Sequence, residues 1–151
     1  MPIRIEQVPI ESETGILIMA IRMKVFVEEQ HVPVEYEIDT YDDTATHFAA
    51  FADDEIAGTC RLIKKGLSMK IGRVAVLKDH RLQGIGRALM EHAITHARQQ
   101  KCQTCELTAQ LPVIPFYEKL GFLAHGEVFM EVHIPHRAMT LHLQEGGLMT
   151  T

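Results

Sequence analysis

Short stretches in which apolar and polar residues alternate recur along this chain, and that period of two predicts β-strands. Seven stretches are predicted as strands: Ile3–Val8, Thr46–Ala52, Ile56–Lys64, Ser68–Leu77, Thr104–Ala109, Phe122–Val132 and Arg137–Leu143. The second and third are separated only by Asp53-Asp54-Glu55, which predicts a hairpin. Lys65-Gly66 predicts the next turn, so three consecutive strands form a meander.

Helical spacing predicts three further elements. A helix that Ser12 or Thr14 can cap is predicted to run to about Glu29, and its nearly all-round apolar surface predicts that it is largely buried. A second helix, Gly84–Gln100, carries an apolar stripe at Ile85, Leu89, Ala93 and Ala97. A shorter helix, Val113–Leu120, is followed by Gly121 at its carboxyl end. The polar stretch Gln30–Thr44 is predicted as a loop with, at most, a short helical turn.

This order of elements predicts one domain that spans residues 1–151. Its predicted class is α/β (α+β): a mixed, largely antiparallel, twisted sheet of about six or seven strands, with helices on both faces. We expect the last eight residues to form a tail.

Composition narrows the possible classes of protein. The formal net charge of −5 argues against nucleic acid as the main partner, because proteins that bind it usually present a basic face. No apolar run is as long as a membrane span, and residues 1–6 lack the layout of a signal peptide, so we expect no membrane partner and a cytoplasmic location. The three cysteines suit a reducing compartment. Cys102 and Cys105 have no second cysteine pair to complete a zinc site, so no metal is expected.

The most informative segment is Ile71–Met90, in which a strand leads through a polar turn to glycines that open a helix. A helix amino terminus carries unpaired N–H groups and partial positive charge, and Gly84 and Gly86 would let a phosphate approach them. Arg81 and Arg87 would add charged donors. A Walker loop would need Gly-Lys-Ser/Thr, and a dinucleotide fingerprint would need a third glycine where Leu89 stands. A plain glycine turn before a helix is the remaining alternative.

Two motifs resemble the GNAT superfamily of N-acetyltransferases. Arg81-Leu82-Gln83-Gly84-Ile85-Gly86 is similar to its Arg/Gln-x-x-Gly-x-Gly/Ala motif, and Ala109-Gln110 followed by residues 116–122 resembles its next block. The first third of the chain also resembles the ElaA/YjcF-like branch, through the pattern of Arg22, Val25-Phe26-Val27, Glu29-Gln30, Glu37, Asp39, Asp42 and His47. Ile134-Pro135-His136 near the end is similar to the same branch. His133 departs from that branch, because a small residue is expected there.

The resemblance implies direct transfer of an acetyl group from acetyl-CoA to an amine, without an acyl-enzyme. It implies that the strand residues Val74, Ala75 and Val76 pair with the pantetheine arm through their backbone, and that the backbone N–H of Val76 polarises the thioester carbonyl. The other cofactor-binding residues that it implies are Arg81, Leu82, Gln83, Gly84, Ile85, Gly86, Arg87 and Gln110. Tyr117 matches the tyrosine that donates a proton to the departing thiolate.

The base that removes a proton from the amine is left open by the sequence. The candidates are Glu28, Glu29, Glu37, Asp39, His47 and His136, with water as a further alternative. The five acids between Glu35 and Asp43 suggest a hypothesis: if they line the acceptor side of the site, they favour a cationic amine.

Two other functions compete with acetyl transfer. Arg22, Phe26, Glu37, Asp39 and Asp42 also resemble the early pattern of acyl-homoserine-lactone synthases, although the chain has no Trp and keeps the pyrophosphate loop. A CoA-binding module without catalysis is the other alternative, and Tyr117 argues against it. The acceptor, which is expected to be a small-molecule, peptide or protein amine, is not identified by the sequence. The sequence does not reveal the oligomeric state, although the resemblance makes a homodimer possible, since dimers are common among relatives.

Overall fold

The computed structural model describes residues 2–143 of the chain. Within them the strands are β1 (Ile3–Gln7), β2 (Thr46–Ala52), β3 (Glu55–Lys65), β4 (Ser68–Val76), β5 (Thr104–Gln110), β6 (Leu123–Glu131) and β7 (Ile134–His142). The α-helices are α1 (Glu13–Arg22), α2 (Val34–Glu37), α3 (Ile85–Gln99) and α4 (Ile114–Glu118). A π-helical segment, Met23–Glu29, continues α1, and short 3₁₀ turns occupy Thr40–Asp43, Lys78–His80 and Leu111–Val113.

The strands of residues 2–143 form a seven-stranded sheet in the order β1-β2-β3-β4-β5-β7-β6. Strands β1 and β2, β2 and β3, β5 and β7, and β6 and β7 pair antiparallel. Strands β4 and β5 pair in parallel, through Ser68–Lys70 and Thr104–Glu106. The predicted α/β class with a mixed, largely antiparallel sheet is therefore confirmed.

The described chain forms two compact units. The first unit contains residues up to Ile63 together with Gly72–Ala93, and the second contains Lys64–Ile71 and the described residues from Ile94 onward. In the first unit, Ile18 of α1 packs with Val8 and Ala49, and Ile21 and Val25 pack with Ala75. The single domain over residues 1–151 remains a prediction.

Several predicted elements are confirmed with small shifts of their bounds. The stripe of α3 is buried at Ile85, Leu89, Ala93 and Ala97. Gly121 follows α4 with a φ of +99°, as expected for the left-handed end of a helix. The final strand begins at Ile134 rather than at Arg137, because it pairs with β6 up to the Glu131–Ile134 position. The predicted tail lies outside the described residues.

The first predicted helix is corrected in two respects. Ser12 does cap it, since its hydroxyl accepts a hydrogen bond from the Gly15 backbone N–H at 3.0 Å. The α-helical part ends at Arg22, however, and Met23–Glu29 is wound as a π-helix. This form occurs mostly as short insertions within α-helices and is frequent at functional sites. The surface is not buried all round either, because Ile16 is 69% exposed.

The loop predicted over Gln30–Thr44 contains helix α2 and the Thr40–Asp43 turn. Asp39 caps that turn, because its carboxylate accepts from the Tyr41 N–H while the Asp39 N–H donates to Asp42.

The turn between β6 and β7 shows why a glycine, rather than a histidine, is expected at position 133. Val132 and His133 have φ values of +46° and +64°, and they form the two-residue connection of the hairpin. Such connections favour residues that tolerate positive φ, and glycine does so best. A histidine at position 133, next to a β-branched valine, therefore holds a conformation that L-residues rarely adopt.

Candidate active site

The segment that follows β4 leads directly to the amino terminus of α3. After the 3₁₀ turn Lys78–His80, Leu82 has a φ of +63° with its side chain fully exposed, and Gly84 has a φ of +85°. The predicted motif Arg81–Gly86 is thus an exposed, tightly turned loop. Gly84 occupies a conformation that glycine adopts at little cost.

Helix α3 presents free backbone donors at this loop. Its first hydrogen bond runs from the Ala88 N–H to the Gly84 carbonyl, at 3.0 Å. By helix geometry, the N–H groups of Ile85, Gly86 and Arg87 precede that bond and point out of the helix end. A 15-residue helix also carries partial positive charge there, so the loop is suited to an anion.

Arg81 is held in place by two neighbours. Its Nε donates to the Val76 carbonyl at 2.8 Å, and its two terminal nitrogens bind the Glu29 carboxylate at 3.0 and 2.9 Å. The hydrogen bond from Arg81 lowers the pKa of Glu29. Glu29, one of the predicted bases, is therefore a paired carboxylate that orients Arg81. Arg87 pairs with Glu91 one turn further along α3, at 3.2 Å.

Strand β4 has an irregularity in its middle. Arg73 has a φ of +52°, which breaks the regular extended backbone just before Val74, Ala75 and Val76. A Cβ on Gly58 of β3 would lie only 2.9 Å from the Ala75 carbonyl oxygen, so β3 can approach β4 there only with glycine. The sequence analysis did not single out Gly58, although a glycine inside a strand is a recognisable sign of close backbone approach.

Six charged side chains form a buried ionic cluster in the first unit: Arg22, Glu37, Asp39, Asp42, Arg61 and Arg73. Arg22 donates to Glu37 Oε2 and to Asp42 Oδ1, both at 2.7 Å. Its remaining nitrogen donates to the Glu37 carbonyl at 2.6 Å. Arg22 is fully buried, and it occupies the last position of α1.

Arg61 and Arg73 complete the ionic cluster from β3 and β4. Arg61 donates to Asp39 at 2.6 Å and to Asp42 at 3.0 Å. Arg73 Nε lies 2.9 Å from Glu37 Oε2, and Arg73 also donates to Asp39 at 3.3 Å. The three guanidinium groups thus match three carboxylates in number. Helices α1 and α2, the Thr40–Asp43 turn, β3 and β4 all contribute to this electrically balanced cluster.

The ionic cluster changes the interpretation of the acids between Glu35 and Asp43. Glu37, Asp39 and Asp42 are neutralised by arginines, so the hypothesis that these acids attract a cationic amine is wrong for three of the five. Glu37 and Asp39 also cease to be good candidates for the base. The same contacts account for the lactone-synthase-like pattern, since Arg22, Glu37, Asp39 and Asp42 serve the packing of this unit.

Burial and ion pairing have opposite effects on the pKa values of the acids. Burial alone would raise the pKa of Asp42, but hydrogen bonds and charge from Arg22 and Arg61 outweigh it and bring the pKa to about 2. Burial also raises the pKa of Glu37, and there it outweighs the neighbouring arginines. Burial lowers the pKa of His47, whose Nε2 donates to the Asp42 carbonyl at 2.9 Å. His47 is 2% exposed, so a substrate has no access to its ring.

The second unit holds the remaining predicted residues. Tyr117 is buried on α4, and its ring contacts Phe116 and Phe122 edge to face, with centroids 5.0 and 6.0 Å apart. Gln110 is the last residue of β5 and pairs with His136 of β7. Glu28 is exposed at the end of the π-helical segment, in the first unit.

The cysteines are not placed for metal binding or for nucleophilic chemistry. Cys60, Cys102 and Cys105 are free and buried, and burial raises the pKa of Cys60 and of Cys105 to about 12. Over the described residues 2–143, no group of three or more His, Cys, Asp or Glu side chains is arranged to hold a metal ion. Over the same range, no helix combines the length and the apolar character that crossing a bilayer requires.

Comparison with known proteins identifies the class of this chain. It matches the acetyltransferase (GNAT) domain family over residues 7–143. It is 34% identical over 120 residues to the N-acetyltransferase YjcF of Bacillus subtilis, covering 79% of this chain and 86% of that protein. It is also 32% identical over 130 residues to the protein ElaA of Escherichia coli, covering 81% of this chain and 83% of that protein.

Solved structures agree with the sequence matches. The crystal structure of Escherichia coli ElaA superposes with a TM-score of 0.82 at 27% identity, covering 93% of this chain and all of that one. A Bacillus subtilis acetyltransferase in complex with CoA shares the fold, with a TM-score of 0.69 at 22% identity, covering 95% of this chain and 100% of that one.

The chain therefore belongs to the acetyltransferase (GNAT) domain family. The predicted resemblance to the ElaA/YjcF-like branch and the transferase class are confirmed.

The low pKa of Asp42 predicts how the ionic cluster contributes to stability. Because the folded-state pKa lies below that of the unfolded chain, the stabilisation is fully present at neutral pH and is lost as pH falls from about 4 toward 2. Asp42→Asn keeps the size of the side chain but leaves Arg22 and Arg61 short of a charge. It should lower the free energy of unfolding at pH 7 by about 3 kcal/mol.

Urea unfolding of both proteins between pH 2 and pH 7 measures this difference. The gap between wild type and variant should shrink steadily below about pH 4. Both proteins retain Glu37, so its titration affects both unfolding curves equally. The control variant is Asp43→Asn, which removes a nearby carboxylate that is exposed. A gap that stays constant across the whole pH range would show that Asp42 does not act through its charge.

Proposed function

We propose that this protein transfers the acetyl group of acetyl-CoA to a primary amine directly, with both substrates bound at once. The observation that carries the proposal is the exposed loop Arg81–Gly86 at the amino terminus of α3, where backbone donors and helix charge converge. Acetyl-CoA carries a pyrophosphate, the kind of anion that such a helix end binds.

Each predicted cofactor residue has a proposed task. The N–H groups of Ile85, Gly86 and Arg87 bind the pyrophosphate, and the turn of Leu82, Gln83 and Gly84 brings the phosphate oxygens close to them. Arg81 supplies charge from its fixed position beside Val76. Backbone groups of Val74–Val76, which follow the irregularity at Arg73, pair with the pantetheine amides. Gln110 is proposed as a further cofactor contact.

Tyr117 is proposed as the proton donor to the thiolate. The role requires a hydroxyl close to the sulfur, and it rests on the match of residues 116–122 to the family block. The burial of the Tyr117 ring against Phe116 and Phe122 supports the role, because a packed ring fixes the direction of its hydroxyl.

The setting of the reaction is part of the proposal. A reducing, cytoplasmic compartment suits three buried free thiols, and a homodimer is proposed from the family resemblance. The acceptor is an amine whose identity a substrate screen must supply.

Release of free CoA thiol from acetyl-CoA, measured with a panel of amines, tests the function. We expect turnover with at least one primary amine, with an acetylated product of the expected mass. The control omits the amine and measures hydrolysis of the thioester. CoA binding without turnover on any amine would instead support the alternative of a non-catalytic binding module.

The phosphate site is tested at Gly86. Gly86→Asp places a carboxylate at the helix amino terminus, where it repels the pyrophosphate and occupies its space. The affinity for CoA, measured by calorimetry, should fall at least tenfold, about 1.4 kcal/mol. Thr95→Asp adds the same charge at an exposed position further along α3 and should bind CoA normally. Unchanged affinity in a folded Gly86→Asp protein would remove the pyrophosphate assignment.

The proton donor is tested by Tyr117→Phe, which removes only the hydroxyl. A general acid typically accelerates a reaction ~10²–10⁴-fold, and we expect the low end because water can replace it. CoA affinity should stay the same while kcat falls, since the hydroxyl acts in the transition state. Tyr36→Phe, at an exposed tyrosine, is the matched control. An unchanged single-turnover rate would make Tyr117 a packing residue.

A further inference from the structure

One face of the β5–β7–β6 strands carries polar residues that the sequence analysis did not bring together. Register places His136 of β7 directly opposite Gln110 of β5 and Phe129 of β6. Side chains two residues apart share a face of a strand, so Thr108 and Glu131 lie on this face as well. The Thr108 hydroxyl contacts both oxygens of Glu131, at 3.4 and 3.5 Å.

The hydrogen bond at Nδ1 fixes the protonation pattern of His136. Nδ1 lies 2.6 Å from the Ile134 carbonyl oxygen, which can only accept, so Nδ1 carries the proton in the neutral ring. Nε2 then holds the lone pair and is the basic nitrogen. Phe129 stacks on the ring, with centroids 6.1 Å apart and planes 23° apart, which fixes its orientation.

The basic nitrogen of His136 faces a carboxylate. Nε2 lies 3.6 Å from Glu131 Oε2. The His136 side chain is 8% exposed, whereas that of Glu131 is 49% exposed, so solvent meets this pair mainly at the carboxylate, 3.6 Å from Nε2. In the neutral form of the ring both atoms are acceptors, so together they favour a group with several donors, and an alkylammonium ion has three.

We propose that His136 is the general base of the acetyl transfer and that Glu131 binds the ammonium group of the acceptor beside it. The proposal rests on the proposed function and names the part of the site that the sequence left open. Gln110, which pairs with His136, is itself a proposed CoA contact, so the base lies on the strand position adjacent to the cofactor residue.

The other candidates for the base are less suitable on their own contacts. Glu29 is bound by Arg81, Glu37 and Asp39 belong to the ionic cluster, and the His47 ring is 2% exposed. Glu28 is exposed at a helix end, where water surrounds it. His136 differs from His47 in that the carboxylate beside its basic nitrogen, that of Glu131, is half-exposed.

The chemical step balances in atoms and charge. His136 Nε2 takes one proton from the ammonium ion, and the neutral nitrogen forms a C–N bond with the acetyl carbonyl carbon. The C–S bond breaks with its electron pair on sulfur, and Tyr117 protonates the thiolate. The second proton of the nitrogen returns through water to Tyr117. Protonated His136 releases its proton to solvent, so the reaction yields an amide, CoA thiol and one proton.

The groups facing His136 from the strands paired with β7 bear on its titration. On β6 these are Glu131 and, further along the same face, His125, which is hydrogen-bonded to Thr140 at 2.8 Å. On β5, Glu106 opposes Thr140 and is hydrogen-bonded to Ser68, and Gln110 is uncharged. Arg137 is the charged neighbour on β7 itself, and its Nε donates to the Gly126 carbonyl at 3.1 Å. Glu131 is therefore the charged group directly beside Nε2.

His136→Asn tests the base. An asparagine amide can keep the donor to the Ile134 carbonyl while the basic nitrogen is lost. With an amine that the wild type acetylates, kcat/KM at pH 7 should fall by ~10²-fold or more. The part of the pH dependence of kcat/KM that arises from His136 should also be absent from the variant. His125→Asn, at the exposed histidine of β6, is the matched control and should keep the wild-type profile.

Glu131→Gln tests the ammonium site. KM for a cationic amine should rise about tenfold while kcat changes less, because the carboxylate acts mainly in binding. Glu127→Gln, at an exposed position of the same strand, should leave KM unchanged. Equal KM values for wild type and Glu131→Gln would overturn the assignment of Glu131.

Two further measurements separate failure of this inference from failure of the proposed function. Calorimetry should show wild-type CoA affinity in both variants, which establishes that they are folded. Nitrogen-15 NMR of His136 should show the Nδ1–H tautomer, and an Nε2–H tautomer would overturn the inference without reference to turnover. A wild-type pH profile in His136→Asn would overturn it while the acetyl transfer stands. Absence of turnover by the wild type on every amine would overturn both.

Discussion

The first unit depends above all on the ionic cluster built around Arg22. A single buried guanidinium at the end of α1 binds Glu37 and Asp42, and Arg61 and Arg73 bind the remaining charges from β3 and β4. Removing ions from water is expensive, so the cluster is stable only when every charge keeps its partner. Any other arrangement of these elements would leave a buried charge unpaired. We therefore infer that the cluster selects one conformation of the unit rather than adding much to its stability.

That constraint extends to the backbone of β4. Arg73 has a positive φ, a backbone conformation that residues other than glycine seldom adopt. Its guanidinium group is held by Glu37 and Asp39. The residues that follow, Val74–Val76, are constrained on two further sides, by the close approach of Gly58 and by the hydrogen bond from Arg81 to the Val76 carbonyl. The backbone that we propose to pair with the cofactor arm is thus held by side chains rather than left to adjust. Such preorganisation lowers the entropy cost of binding.

The sequence predicted what depends on local pattern and failed where distant residues meet. The stripe of α3, the Ser12 cap and the hairpin at Asp53-Asp54 follow from spacing within a few residues, and all three are confirmed. The ionic cluster joins residues 15 to 36 positions apart, so no short window of sequence contains it. Arg61 was not singled out, although a charged residue inside a buried strand is a signal. The π-helical winding of Met23–Glu29 has no distinct composition, and the Val132–His133 turn lacks the glycine that usually announces one.

The two groups of acids in this chain differ in burial, and that difference assigns their roles. Glu37 and Asp42 are buried with arginines as partners, so their charge is cancelled where it stands and cannot act on a substrate. Glu131 is half-exposed, with the Thr108 hydroxyl and the His136 ring beside it, so its charge stays available to a cation. A stretch rich in carboxylates is therefore a poor guide to a cation site, because here three of its acids neutralise arginines. A cation site is identified by a carboxylate that has acceptors or weak donors as neighbours and that still contacts water. Which residues become the neighbours of Glu131 depends on the register in which β6 pairs with β7 across a two-residue turn.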